Sequence, residues 1–262
     1  MNDLITSAQN PRIQLVRSLI EQPKARRKQQ AFVAEGARLV ADGLKSATPP
    51  QFLLYSEQHT PHVAEVLDQL PSSLPAFLVD GRLFNTLSET ENSQGLLAVF
   101  DLPAAIPLAE PDFLLILDQL RDPGNLGTIL RSAEAAGAQA VCLTPGSTDP
   151  WAPKVVRSGM GAHFRLPILQ MNWQELGKLV QGMRVIHADM NGQLTCWQAD
   201  FTGRTALLVG GEAEGISSEA GAHITQSVRI PMIGQNESLN AAVSASVLLF
   251  EVLRQRMGNL NP

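Results

Sequence analysis

A chain of 262 residues, 44% hydrophobic and 17% charged, is long enough for one large or two ordinary packed domains. No apolar run reaches the roughly 18 to 20 residues of a membrane-spanning helix, and the opening MNDLITSAQNPR lacks the charged-then-apolar layout of a signal peptide, so the expected location is the cytoplasm with no membrane partner. The net charge of −5 excludes a protein basic all over, although Arg12, Arg17, Lys24, Arg26, Arg27 and Lys28 face only Asp3 and Glu21 within the first thirty residues. That basic arm reads either as a footprint for phosphates or as a solvated helix end.

In chain order, residues 10–22 form a helix with Pro11 in its first turn, and Ile13, Val16 or Leu15, and Leu19 or Ile20 on one side. A KARRK run follows. AFVAEG is a strand, ARLVADGLKS a helix, QFLLYSE a strand, HVAEVLDQL a helix and AFLVD a strand; RLFNTLSE and GLLAVFD add a short helix and a last strand. Residues 1–101 therefore make a small α/β domain. Residues 102–111, LPAAIPLAEP, hold three prolines without periodicity and read as a linker.

Beyond it, residues 112–262 alternate strand and helix: FLLILDQL, a helix over 126–136 stopped at Gly137, AVCLTP, a helix near PKVVRSGMGA, RLPILQ, WQELGKLVQG, RVIHAD, TALLVGG, a helix near SEAGAHITQ, and VRIPM. Strands apolar throughout imply a largely parallel sheet covered on both faces. The last helix, Leu239 to Met257, has Ser238 where an N-cap belongs. Its stripe of Leu239, Val243, Val247, Phe250, Leu253 and Met257 is the expected buried face, and the shoulder of Ala241, Ser244, Ala245 and Leu248 is small enough to let another helix approach.

Ligands of parallel sheets bind beyond the carboxyl ends of strands, which directs attention to the loops DQLRDPGN, TPGSTDPW, VGGEAEGIS and PMIGQNES. No GxGxxG follows the first strand of either domain and no GxxxxGK[ST] occurs, so a dinucleotide or P-loop site is not expected. Asn125 and Arg131 are either functional or a cap and a surface arginine paired with Glu134. Gly210, Gly211 and Gly215 around Glu212 and Glu214 suit either a flat ligand or a tight turn with two solvated acids. His163, His187 and His223 share no metal-ligand spacing and read as structural or surface residues, Cys142 and Cys196 as buried free thiols; no metal is expected.

Taken together, DPGNLGTILRSAEAAG, LLVGGEAEGIS and IPMIGQNESLNAAVSASVLLFE resemble, in order and separation, the three motifs of the SpoU family of RNA ribose 2′-O-methyltransferases. SAQNPRIQLVRSLI and FVAEGARLV are similar to the ribosomal-protein-like α/β RNA-binding domain of members that modify ribosomal RNA, and PKVVRSGMGAHFRLPI also resembles family sequence. Ala213 departs from the usual glycine of the second motif, and Ala241 and Ala242 from the usual Val and Ser of the third.

The resemblance implies a C-terminal trefoil knot, S-adenosylmethionine as cofactor, a homodimer formed by the C-terminal domain, and structured RNA, most simply ribosomal, as partner. It assigns the cofactor to Gly210, Ile230, Met232 and Leu239, and catalysis to Asn125, Arg131, Glu212, Ser238 and Asn240. Arginine stays protonated in proteins, so Arg131 is expected to bind a phosphate and stabilise a developing alkoxide, with Glu212 ordering the two asparagines or accepting a proton through water. Arg12, Arg17, Arg26, Arg27 and Lys28 are the expected RNA contacts, from charge as well as resemblance. The competing readings are a transfer-RNA methyltransferase, a family member that binds RNA without modifying it and, last, a nucleotide-dependent oxidoreductase.

Overall fold

The computed structural model describes residues 4–90, 92–104, 108–211, 215–235 and 238–258. They divide into two compact units: Met1–Ala104 with Trp151–Phe164, and Ala105–Pro150 with Arg165–Pro262.

In the first unit, α1 (Pro11–Glu21) and α2 (Pro23–Gln29) precede β1 (Ala31–Glu35), α3 (Ala37–Leu44), β2 (Phe52–Ser56), α4 (Pro61–Asp68), β3 (Ala76–Val79), α5 (Gly81–Asn85) and β4 (Leu96–Asp101). The sheet order is β1-β4-β2-β3, with only the β2–β3 pair parallel. Alternation along β1 divides its side chains between two cores. Ala31 and Val33 meet Ile13, Val16 and Leu19 of α1, while Phe32 and Ala34 face the cluster containing Leu39 and Val40 of α3 and Val63 of α4.

Trp151–Phe164 belongs to this second core. α7 (Pro153–Ser158) contributes Val156, and the rings of Trp151 and Phe164 lie 4.9 Å from those of Phe32 and Phe100 respectively. The stretch lies far past the linker in sequence, so a single boundary at 102–111 does not describe how it packs.

Two features of the basic arm were not apparent from its sequence. The KARRK run is a separate helix, α2, and Arg26 within it is buried, its Nη1 donating to the carbonyl oxygens of Leu19 and Ile20 at 2.6 and 3.0 Å. Those carbonyls lie in the last turn of α1, where a helix leaves acceptors unsatisfied. Arg26 thus fixes the corner between the two helices, which corrects its expected place among the phosphate contacts.

The second unit contains β5 (Phe113–Asp118), α6 (Pro123–Ala135), β6 (Ala140–Leu143), β7 (Ile168–Gln170), α8 (Trp173–Leu179), β8 (Arg184–Ala188), β9 (Leu194–Thr195), β10 (Thr205–Gly210), α9 (Ser218–Gly221), β11 (Gln226–Arg229) and α10 (Ala241–Gly258). Every pairing in its sheet, β7-β6-β5-β10-β8-β11-β9, is parallel. The chain steps outward from β5 through β6 to β7, and β10 then enters between β5 and β8. Neighbouring loops at the carboxyl ends of β5 and β10 therefore diverge, the place where such sheets bind ligands.

Helix α6 begins three residues earlier than its apolar pattern suggested, because Asp122 accepts the N–H of Asn125 at 2.7 Å and Pro123 fits the first turn. The expected helix near SEAGAHITQ is limited to α9, and the two-residue strand β9 was not foreseen.

The largest correction concerns α10. Its buried residues are Ala241, Ala242, Ala245, Leu248, Leu249, Glu251 and Val252, whereas Val243 is 48% and Phe250 49% exposed, with Val247 and Met257 also exposed. The small shoulder packs on α6, where Ser132 and Ser246 share a hydrogen bond of 2.8 Å. Short side chains allow this approach. The farther end of α10 is tied down by Arg256, which donates to the carbonyl oxygens of Phe201 and Gly203 and pairs with Asp112.

Candidate functional site

The floor of the site is backbone. Beyond β10, Gly211 and Gly215 exchange hydrogen bonds of 3.0 and 3.1 Å. A Cβ on Gly210 would stand 2.5 Å from the Gly215 carbonyl carbon, and one on Gly211 2.5 Å from the Gln119 carbonyl oxygen. Both positions therefore require glycine for space.

A cavity of about 460 Å³ opens beside these glycines at the carboxyl ends of β8, β10 and β11. Val209, Ile230, Met232, Leu239 and Leu248 give it apolar walls, and His187, Asp189, Ser238, Asn240 and Ser244 supply polar groups. Its volume lies in the range of about 300 to 1,000 Å³ usual for small-molecule sites.

Asn240 joins this cavity to α6. Its Oδ1 accepts the N–H groups of Ala242 and Val243 at 2.9 and 3.3 Å, and its Nδ2 donates to Asn125 Oδ1 at 3.0 Å. One side chain thus caps α10 and fixes the start of α6. This corrects the expectation that Ser238 is the cap: α10 starts later than its apolar pattern implied, and Leu239 lines the cavity instead of joining the helix.

The fold brings together Gly210, Ile230, Met232, Leu239, Ser238 and Asn240, with Asn125 attached through Asn240. Arg131 is exposed on α6. Its alternative partner Glu134 is bonded at 2.8 Å to Arg165. Glu212 lies outside the described residues. In the first unit, Arg12 lies 3.9 Å from the ring centre of Phe77, Arg17 donates to Thr86 Oγ1 at 3.2 Å, and Arg27 and Lys28 are exposed on α2.

Sequence reasoning missed His187 and Asp189. They end a strand and precede a glycine, in HADMNG, the same combination that selected the other loops. Burial lowers the pKa of His187, against the opposing pull of Asp189 and Asp118, which favours the neutral imidazole in the cavity wall. Cys142 and Cys196 are buried free thiols, and burial pushes the Cys142 thiol up to about 12. Among the described residues no group of three or more His, Cys, Asp or Glu side chains is arranged to hold a metal ion, and no helix is long and apolar enough to cross a membrane.

Residues 112–250 match the SpoU rRNA methylase family, and residues 10–98 match an MRM3-like substrate-binding domain. The chain belongs to the SpoU rRNA methylase family. An uncharacterised tRNA/rRNA methyltransferase of Synechocystis is 34% identical, the match covering 98% of this chain and 96% of that protein. A 23S rRNA guanosine 2′-O-methyltransferase of Bacillus subtilis is 30% identical over 95% of this chain and 98% of its own. Among solved structures, the SpoU methyltransferase AviRb of Streptomyces viridochromogenes in complex with AdoMet superposes with a TM-score of 0.86 at 29% identity, covering 95% of this chain and 99% of that one. The SpoU match spans β5 to most of α10, and therefore includes the described segments that wall the cavity.

Proposed function

We propose that this chain transfers a methyl group from S-adenosylmethionine to a ribose 2′-hydroxyl of RNA, with ribosomal RNA as the substrate. The observation that carries this reading is the cavity itself, where the glycine turn and the residues around Asn240 meet in a chain of the SpoU family. Its apolar walls and exposed backbone suit a flat purine, while the polar groups from Asp189 to Ser244 suit the ribose and amino-acid portions of the cofactor. When bound, S-adenosylmethionine would supply a sulfonium methyl group that passes to the ribose oxygen as the carbon–sulfur bond breaks, with S-adenosylhomocysteine leaving as a neutral thioether.

The chain's own groups then have distinct tasks. Gly210, Ile230, Met232 and Leu239 hold the cofactor, and Ser238 and Asn240 orient the polar groups that meet there. Arg131, as a permanent cation, binds the phosphate beside the target and stabilises negative charge growing on the ribose oxygen. Glu212 orders Asn125 and Asn240 or takes the hydroxyl proton through water. The chain around Gly210 and Gly215, with α10 beyond it, is read as part of a trefoil knot, a threading that ordinary connection rules would reject and that here rests on family likeness.

The N-terminal unit is read as the ribosomal-protein-like RNA-binding domain, using Arg12, Arg17, Arg27 and Lys28. Ribosomal rather than transfer RNA is supported by relatives matched over nearly the whole chain that are named as 23S rRNA 2′-O-methyltransferases. The compartment is read as the cytoplasm, from the likeness to bacterial ribosomal-RNA methyltransferases such as that of Bacillus subtilis. The exposed stripe of Val243, Val247, Phe250 and Met257 supports a homodimer through α10.

Three measurements test these assignments. Calorimetric titration should show S-adenosylmethionine binding to the wild type and at least tenfold weaker binding to Ser244→Phe, whose ring would fill the cavity; equal binding would remove the cofactor from it. Replacing Arg27 and Lys28 together by alanine should weaken RNA binding and flatten its dependence on salt, since fewer counterions are released. An unchanged slope would leave these residues as a solvated helix end. Sedimentation at micromolar concentration should give twice the 28.3 kDa chain mass, and a single species of monomer mass would contradict the dimer.

A further inference from the structure

Asp118 is the last residue of β5 and is fully buried, yet its side chain accepts three hydrogen bonds from three separate segments. Oδ1 accepts Thr144 Oγ1 at 2.6 Å and Trp173 Nε1 at 3.2 Å; Oδ2 accepts the Ser217 N–H at 2.6 Å. Its main-chain oxygen accepts the Gly211 N–H at 2.9 Å. The described residues on either side of 212–214, Gly211 and Ser217, are thus both held by one residue.

The next residue is committed as well. Gln119 has φ of 56°, a left-handed conformation uncommon for a residue with a side chain, and its N–H is held by Thr144 Oγ1 at 3.0 Å. Its carbonyl is the oxygen that excludes a Cβ from Gly211. Burying a carboxylate is costly unless its acceptor sites are filled, and a chain needing only to end a strand would not place one here. Gly210, Gly211 and Gly215 form part of the cavity wall, so whatever fixes the turn also fixes that wall.

We infer that Asp118 is a positioning residue for methyl transfer, holding the turn after β10, and through it the cofactor cavity, against the end of β5. The inference rests on the cavity being the cofactor site. Thr144 and Trp173 hold the carboxylate in place, and Ser217 and Gly211 receive its effect.

Asymmetry of the three bonds provides the test. Asp118→Asn can keep Oδ1 facing Thr144 and Trp173 but sets an amide N–H₂ against the Ser217 N–H. Binding of S-adenosylmethionine by calorimetry should weaken at least tenfold. Ser217 has φ of −69°, which proline adopts, so Ser217→Pro removes the opposing donor. Added to Asp118→Asn it should cause no loss beyond that of the weaker single variant, because both changes act on the same bond, whereas a merely structural aspartate predicts two losses that add. If Asp118→Asn does not fold, Ser217→Pro alone should weaken the cofactor with folding retained.

Wild-type affinity in Asp118→Asn, losses that add in the double variant, or unchanged binding in a folded Ser217→Pro would each overturn the inference. Failure of the wild type to bind the cofactor would instead overturn the assignment of the cavity.

Discussion

The site depends on backbone approaching backbone. At the end of β10 the chain folds back so closely that Gly210 and Gly211 leave no room for a Cβ against Gly215 and Gln119. Such contact would leave polar main-chain groups without partners unless they paired with one another, and they do, through the mutual Gly211–Gly215 bonds and the Gly211 bond to Asp118. The parallel sheet makes this possible by inserting β10 between β5 and β8, which places the ends of an early and a late strand side by side.

Helix α10 completes the same arrangement from the other side. It runs from the cavity, where Asn240 caps it and reaches Asn125, to the opposite end of the sheet, where Arg256 holds Asp112 and two carbonyls. Small residues on its inner face let it lie close to α6. Packing at one end and hydrogen bonding at the other therefore set where Ser238 and Leu239 stand, although neither residue lies within the helix.

Much of this was legible in the sequence. Uninterrupted apolar runs such as FLLIL and TALLV indicated strands covered on both faces, and of the four glycine-containing loops beyond strand ends, VGGEAEGIS and PMIGQNES contribute to the cavity. The reading of α10 failed for a definite reason. Periodicity reveals that a helix carries a large apolar stripe, but the face packed within the chain is chosen by how near its neighbour must come, and alanines allowed the closer approach. Arg26 failed similarly, because a basic run does not show that one of its guanidinium groups closes a corner between two helices. His187 and Asp189 were missed because a lone histidine without metal-ligand spacing looks structural in sequence, and the grouping of Trp151–Phe164 with the first sheet is a long-range contact that local pattern does not encode.

The most direct test is the identity of the methylated product. Ribosomal RNA from cells lacking this protein would be incubated with it and methyl-labelled S-adenosylmethionine, then digested to nucleosides and separated. The account predicts label in a 2′-O-methylated nucleoside, in RNA fragments that resist alkaline cleavage at that position. Label on a base, or no transfer by a protein that binds the cofactor and the RNA, would contradict it.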